Sequence, residues 1–405
     1  MRTRQDHEQL EEKNLAPYAM KSREAGEREY PEDKHPIRTC FQRDRDRIVH
    51  CEAFRNLEYK TQVFIIFEGD YYRTRLTHTI EVGQIGRTIG RALHLNEDLI
   101  EAVALAHDLG HPPFGHAGED ALNVIIEEAN KKDPRLKLKR FNHNMRSFDI
   151  VTRLEKRYPN FDGLNLTPEV LIGILKHETD YDEAGESKGY KDGPTIEARV
   201  VDFADSLAYL NHDIDDGLTS GCIAEADLMD SDLWQNALKE LGPRIDRSNK
   251  KMLKYQIVKQ LIDMQIKDLL TATDQRLKDC GLKSSKEAKD YLLKEMRRRP
   301  KETLVGFSRE MTGQRDHLQR LLFKKLYNHY RVIRMMSKAK RVLNDLFKVY
   351  WDVPEQLPPE VYKRAEAGEG GAREKYDVIC NHLASMTDRS ALEEHKKLFN
   401  PYTKV

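Results

Sequence analysis

The chain carries no net charge, because 68 Lys and Arg balance 68 Asp and Glu over 405 residues. Without a global field, any binding to nucleic acid or a membrane surface must be local. Cysteine is scarce. The five present, Cys40, Cys51, Cys222, Cys280 and Cys380, are odd in number, widely spaced and without a Cys-x-x-Cys pair. That argues against a disulfide framework or a thiolate zinc site and fits a reducing cytoplasm. No apolar run reaches the ~20 residues needed to span a bilayer, and Met1 to Lys34 holds no apolar signal region. A cytoplasmic protein with no membrane partner is expected. Alternating strand patterns are nearly absent and no repeat recurs at a fixed period, so the expected class is all-α.

What is present divides into three regions. Residues 1–37 are charged throughout, bury too little to fold alone, and read as a tail or partner-binding arm. Residues 38–220 form a helical core. Helices are expected from Ala53 to Phe64, with Val63–Phe67 as an alternative short strand, then over Thr77–Leu93 and Asn96–His107, the second capped by Asn96. Further helices start near Gly118, at Phe141, at Thr167-Pro168 with proline in the first helical position, and at Ile196. The stretch from Glu178 to Pro194 reads as an exposed loop. Residues 221–405 are helical in period, with breaks expected at Gly242-Pro243, Arg299-Pro300 and Gly313, a linker over Pro354–Gly371 and a last helix pair over Tyr376–Phe399.

The richest stretch is His107-Asp108-Leu109-Gly110-His111-Pro112-Pro113-Phe114-Gly115-His116-Ala117-Gly118-Glu119. It follows the apolar run Ala102–Ala106, so its histidines start from a buried helix end, and Gly110 with Pro112-Pro113 stops that helix. His107 and Asp108 cannot close a metal site alone. His78, at the start of a helix, and Asp205 are the expected further ligands, with Asp202 as the rival to Asp205. Asp205, Tyr209 and Asp213 recur every four residues and share one helix face. Acids on an otherwise apolar helix need a partner or a metal. Two imidazoles and two carboxylates suit Mn, Fe, Co, Ni, Mg or Zn, and ligand type alone does not choose among them. His94, His177 and His329 read as surface or capping residues, and His212 as structural.

The order His78, His107-Asp108, Asp205 resembles the HD-domain metal phosphohydrolases, and the stretch His107–Glu119 resembles the signature of the deoxyguanosine triphosphate triphosphohydrolase family. The likeness extends through Arg43-Asp44-x-x-Arg47-Ile48, Lys60-Thr61-Gln62-Val63, Arg75-Leu76-Thr77-His78, Phe141-x-His143-Asn144 and Met386-Thr387-Asp388-Arg389. It implies an HD-domain helical bundle with additional C-terminal helices, the latter completing the substrate pocket and an oligomer interface. It also implies cleavage of a deoxynucleoside triphosphate, dGTP in the first place, to deoxynucleoside and tripolyphosphate. The implied metal ligands for a divalent ion are His78, His107, Asp108 and Asp205. His116 would transfer a proton or attack in line, with Glu119 as its orienter. Arg75, His111, His143, Tyr209 and Asp213 would line phosphate and sugar, with Gln62 as a further substrate contact. Lys176 is a further phosphate candidate, with a solvated helix-end lysine as the plain account. A symmetric homo-oligomer, hexamer or tetramer, is implied, and a second, regulatory nucleotide is a feature of some such relatives. Arg43 and Arg47 are candidates for that regulatory site, with pairing to Asp44 and Asp46 as the simpler account.

Two other readings compete. Another HD hydrolase, acting on an alarmone or a cyclic dinucleotide, would carry Glu-Asp or a lysine after His-Asp, where this chain has Leu109-Gly110-His111-Pro112. A nucleotide- or single-stranded-DNA-binding scaffold with an inactive site should have lost some ligands, whereas all are present. The basic stretches Arg297–Lys301 and Arg320–Arg341 are candidates to contact nucleic acid or an effector nucleotide, with exposed charged helix faces as the simpler account.

Overall fold

A computed structural model describes residues 1–62, 73–177, 189–242, 249–366 and 371–404. The alternative strand at Val63–Phe67 and most of the loop after Glu178 lie outside the described residues. Among those described, eighteen α-helices occur and extended pairing is confined to one bridge between Thr61 and Thr74. The helices are α1 (Arg4–Asn14), α2 (Cys40–Val49), α3 (Glu52–Asn56), α4 (Arg75–Ala92), α5 (Glu97–Ala106), α6 (His116–Lys132), α7 (His143–Asp149), α8 (Pro168–Leu175) and α9 (Ile196–Ser220). They continue as α10 (Glu225–Leu228), α11 (Asp232–Leu241), α12 (Lys250–Cys280), α13 (Ser285–Arg298), α14 (Arg309–Leu322), α15 (Tyr330–Asp352), α16 (Pro359–Glu366), α17 (Ala372–Ser385) and α18 (Asp388–Phe399). No helix among them is long and apolar enough to cross a membrane.

Local chemistry sets the helix starts. Thr74, Asn96, Asn142 and Thr195 each accept a backbone N–H three residues on, capping α4, α5, α7 and α9, and Pro168 opens α8. The core is built on α9, which buries almost every residue from Ile196 to Gly217. Helices α4 and α5 pack on it and on each other, and α2 covers α5. The approach of α4 to α5 requires Gly90, where a Cβ would stand 2.2 Å from Ile100 Cδ1. Fully buried Ile89, Leu99 and Ile100 line this seam, each contributing ~1.5–3 kcal/mol of burial.

Four expectations are corrected. Residues 1–37 are not a loose arm: Ala19 and Met20 are buried, the Met20 N–H donates to Glu197 on α9, and Arg28 pairs with buried Asp44. The partner of the arm is its own chain. Arg43 and Arg47 serve the same docking, both pairing with Glu32 rather than with Asp44 or Asp46. Gly313 does not interrupt a helix either. It sits inside α14, where an exposed glycine costs only ~1 kcal/mol, and the break falls instead at a wide helical turn, Phe323–Tyr327, followed by Asn328. The stretch expected as a linker over Pro354–Gly371 contains a short helical turn and α16.

The C-terminal helices close back onto the core. Asp388, fully buried at the first position of α18, accepts the Thr61 N–H at 3.0 Å, the Thr61 hydroxyl and the Phe114 N–H at 2.8 Å. Lys60 Nζ donates to the carbonyls of His111 and Ala384. Burial pushes that ammonium down to about 7. The Lys60-Thr61 and Thr387-Asp388 motifs therefore join two distant parts of the chain around the turn that follows His107-Asp108.

Candidate active site

Helix α5 ends at Ala106, and the His107–Gly115 turn is held by α7. Ser147 Oγ donates to the His107 carbonyl and accepts the Gly110 N–H, both at 2.8 Å. Gly110 is required there, since a Cβ would stand 2.1 Å from the His143 carbonyl oxygen. Phe114 takes a positive φ of 65°, a strained conformation for a residue with a side chain. Its N–H is the group that Asp388 holds.

This turn meets α4 and α9 in one buried cluster. His78 Nε2 stands 2.9 Å from Asp205 Oδ1 and 3.8 Å from Asp108 Oδ2. His107 Nε2 stands 3.5 Å from Asp108 Oδ1 and 3.8 Å from Asp205 Oδ1. One ligand atom each from His78, His107 and Asp205 falls within 4.8 Å of the others. The structure thus brings together all four expected metal ligands, each at most 5% exposed. Their protonation fits a cation. The His107 Nδ1–H donates to the Ala104 carbonyl at 2.6 Å, which leaves a bare Nε2, and that Nε2 and Asp108 Oδ2 are buried with no hydrogen-bond partner. Such atoms are costly unless a ligand satisfies them.

Electrostatics separates the acids. Burial alone would raise Asp108, but Arg75, His107 and His111 hold it well below the usual carboxylate range. Asp205 is likewise held well below that range, against burial, chiefly by His177, His78 and His107. His177, which the sequence assigns to the surface, is instead fully buried: its Nδ1 bonds Asp202 at 2.6 Å and its Nε2 bonds Asp205 Oδ2 at 3.2 Å. Burial opposes its charge, yet the two carboxylates hold it protonated well above its ordinary value. Asp202 is therefore engaged with His177 and Arg199, one step behind the ligands rather than among them. His212, plain packing by its sequence context, touches the back of His78.

The other expected site residues gather beside this cluster, with one exception. Arg75 is buried with its Nη1 on Asp108 at 3.0 Å, while its Nε and Nη2 have no partner. His111 Nε2 bonds Asp108 Oδ1 at 3.1 Å, and its ring stacks on His143 with centroids 3.8 Å apart. Burial, then Arg75 and His143, keeps His111 neutral. The His116 ring lies 5.4 Å from that of His111 and 6.2 Å from Tyr209. Resemblance pairs Glu119 with His116; the structure engages the same carboxylate with the His143 ring at 2.9 Å and its backbone N–H at 3.2 Å. Tyr209 and Asp213 both meet the hydroxyl of Tyr327, at 3.1 and 2.8 Å. Tyr327 carries no sequence signal. Gln62, His116, Tyr209 and Tyr327 line a cavity of about 40 Å³ walled by Met335 and Met336 of α15. The exception is Lys176, whose ammonium turns to the Asp192 carbonyl rather than to the histidines.

A helical body with His-Asp and outlying His and Asp ligands defines a phosphohydrolase of the HD class. The HD domain family matches residues 75–210, and the phosphohydrolase-associated domain matches residues 305–397. The deoxyguanosinetriphosphate triphosphohydrolase-like protein of Geobacter sulfurreducens is 46% identical over 402 residues, 98% of each chain. The protein of the same name from Geobacter metallireducens is 45% identical over 98% of this chain and 97% of its own, and that of Ralstonia nicotianae 43% over 96% and 95%. The chain belongs to the deoxyguanosinetriphosphate triphosphohydrolase-like family.

Proposed function

We propose that the chain hydrolyses a deoxynucleoside triphosphate, dGTP first among them, to deoxynucleoside and tripolyphosphate. The observation that carries this is a set of buried, unpartnered polar atoms: His107 Nε2 and Asp108 Oδ2 for a divalent cation, beside them Arg75 Nε and Nη2 for an anion, and further along α9 Asp213 Oδ1 for a hydroxyl. His78, His107, Asp108 and Asp205 would hold the cation, which when bound supplies Lewis acidity toward phosphate oxygens and a lowered water pKa. Arg75 offers a planar guanidinium with donors left over for a tripolyphosphate chain. His116 transfers the proton to the departing 5′ oxygen, and Glu119, one helical turn later, belongs to its orientation as well as to that of His143.

Asp213 and Tyr209 supply the sugar contacts. Burial keeps the Asp213 carboxyl neutral, raised well above its ordinary value, so it can donate as well as accept. By the family resemblance Tyr209 would pack under the deoxyribose and exclude a 2′ hydroxyl, which would disfavour ribonucleotides. Incubation with Mn²⁺ and dGTP, products resolved by anion exchange, tests the reading. Tripolyphosphate is expected; pyrophosphate or phosphate points to another hydrolase, and no turnover to a binding scaffold. His116→Ala should keep Mn²⁺ and lose ~10²–10⁴-fold in rate; a near-native rate would remove His116 from the reaction.

A further inference from the structure

The two histidines of the cluster are supported from behind in different ways. His107 rests its Nδ1–H on a backbone carbonyl, that of Ala104. His78 rests instead on another imidazole: His78 Nδ1 and His212 Nδ1 are 3.3 Å apart, with both rings buried and their planes crossed at 78°. The far nitrogen of His212, Nε2, is bonded to the carboxylate of Glu81, one turn after His78 on α4. Glu81 also faces Arg73 Nε at 3.4 Å.

Counting protons leaves one consistent arrangement. Two nitrogens in contact need one donor and one acceptor. If His212 donated through Nδ1, its Nε2 would be a bare lone pair facing a carboxylate, and His78 would carry its proton on Nε2, toward Asp205, unable to bind a cation. If His78 donates, His212 carries its proton on Nε2, where Glu81 accepts it, and His78 Nε2 is bare. With both imidazoles neutral, only the second gives Glu81 a donor, and the bare His78 Nε2 it leaves 2.9 Å from Asp205 Oδ1 is the lone pair a cation would take. We propose that Glu81 and His212 are positioning residues forming a tautomer relay, Glu81 to His212 to His78, that presents a bare His78 Nε2 to the divalent cation. The relay rests on the cation reading of the cluster. It does for His78 what the Ala104 carbonyl does for His107, but through side chains alone, so substitution can reach it.

The test is Mn²⁺ affinity of the full chain, read from the electron paramagnetic resonance of unbound Mn²⁺, with folding checked by circular dichroism. His212→Phe keeps the ring volume without an acceptor and should weaken Mn²⁺ about 10–100-fold, the usual effect of losing a ligand's outer partner. His212→Asn places an amide oxygen near the Nδ1 position and should restore affinity to within a few-fold of the parent. Glu81→Leu, at a partly exposed position, should also weaken Mn²⁺ and serves if His212→Phe does not fold. Parental affinity in the folded variants lacking the acceptor, or equal losses for Phe and Asn, overturns the relay while leaving the cation site standing. His107→Ala is the control for the site itself: if it still binds Mn²⁺ like the parent, the cation reading fails and the relay with it.

Discussion

Of the six carboxylates that helix α9 buries, Glu197 in its first turn, Asp205 in its middle and Asp213 in its last third behave in opposite ways. Glu197 accepts the backbone N–H groups of Met20 and Asn96 and meets no cationic side chain; burial raises it to about 7. Asp205, two turns on and as deeply buried, is held well below its ordinary value by three histidines. Asp213, two turns further, is raised again, because the Tyr327 hydroxyl does not offset desolvation. Depth is nearly constant, and the partners decide: of the three, Asp205 alone faces imidazoles, one of them the protonated His177. The charged middle is suited to a metal ion, whereas the neutral acids on either side are suited to backbone or hydroxyl partners.

The largest test of that contrast is Asp205→Ala, which should abolish both Mn²⁺ binding and dGTP turnover; stoichiometric Mn²⁺ in the variant would break the comparison. Next comes Asp202→Asn, which leaves His177 and Arg199 without their shared acid. Losing one partner of a buried ion pair costs ~3–5 kcal/mol, measurable by urea unfolding of the metal-free protein. Glu197→Gln should act in the other direction. A carboxyl whose folded pKa lies above its unfolded one contributes stability that is present below about 4.5 and lost as pH rises through about 7. The glutamine variant should therefore match the parent in acid and exceed it above pH ~8 by at most roughly 3 kcal/mol. Equal unfolding midpoints at both pH values would contradict a neutral Glu197. The smallest effect is expected from Asp213→Asn, near-isosteric with an acid already neutral, which should change stability by about 1 kcal/mol or less while raising KM for dGTP.

Much of this architecture is legible in the order of the amino acids. Asn96 and the Thr167-Pro168 pair mark their helix starts because capping is local chemistry. The i, i+4, i+8 spacing of Asp205, Tyr209 and Asp213 fixes a shared face, along which Asp205 meets His78 while Tyr209 and Asp213 meet the Tyr327 hydroxyl. His177 escapes such a reading because a lone histidine at the end of α8 has no periodic signal; its role exists only where that end meets α9. Tyr327 reaches Tyr209 across 118 residues of sequence, a contact no spacing encodes. The first 37 residues mislead through composition. Several of their charges are paired with one another and with the core, as with Glu8 between Arg4 and Arg23 and Arg28 on Asp44. Charge density reads as solvation only when the partners are out of sight.

The Asp388 contact with Phe114 joins residues 274 positions apart, and this has a bearing on the order of events during translation. The ribosome delivers every candidate ligand, up to Asp205, long before it delivers the acid that holds the strained Phe114 turn in place. A growing chain can assemble its histidines early yet lacks the last fastener of the loop between them until α18 emerges, so the turn carrying His107 and Asp108 is held only once residues far downstream have been made.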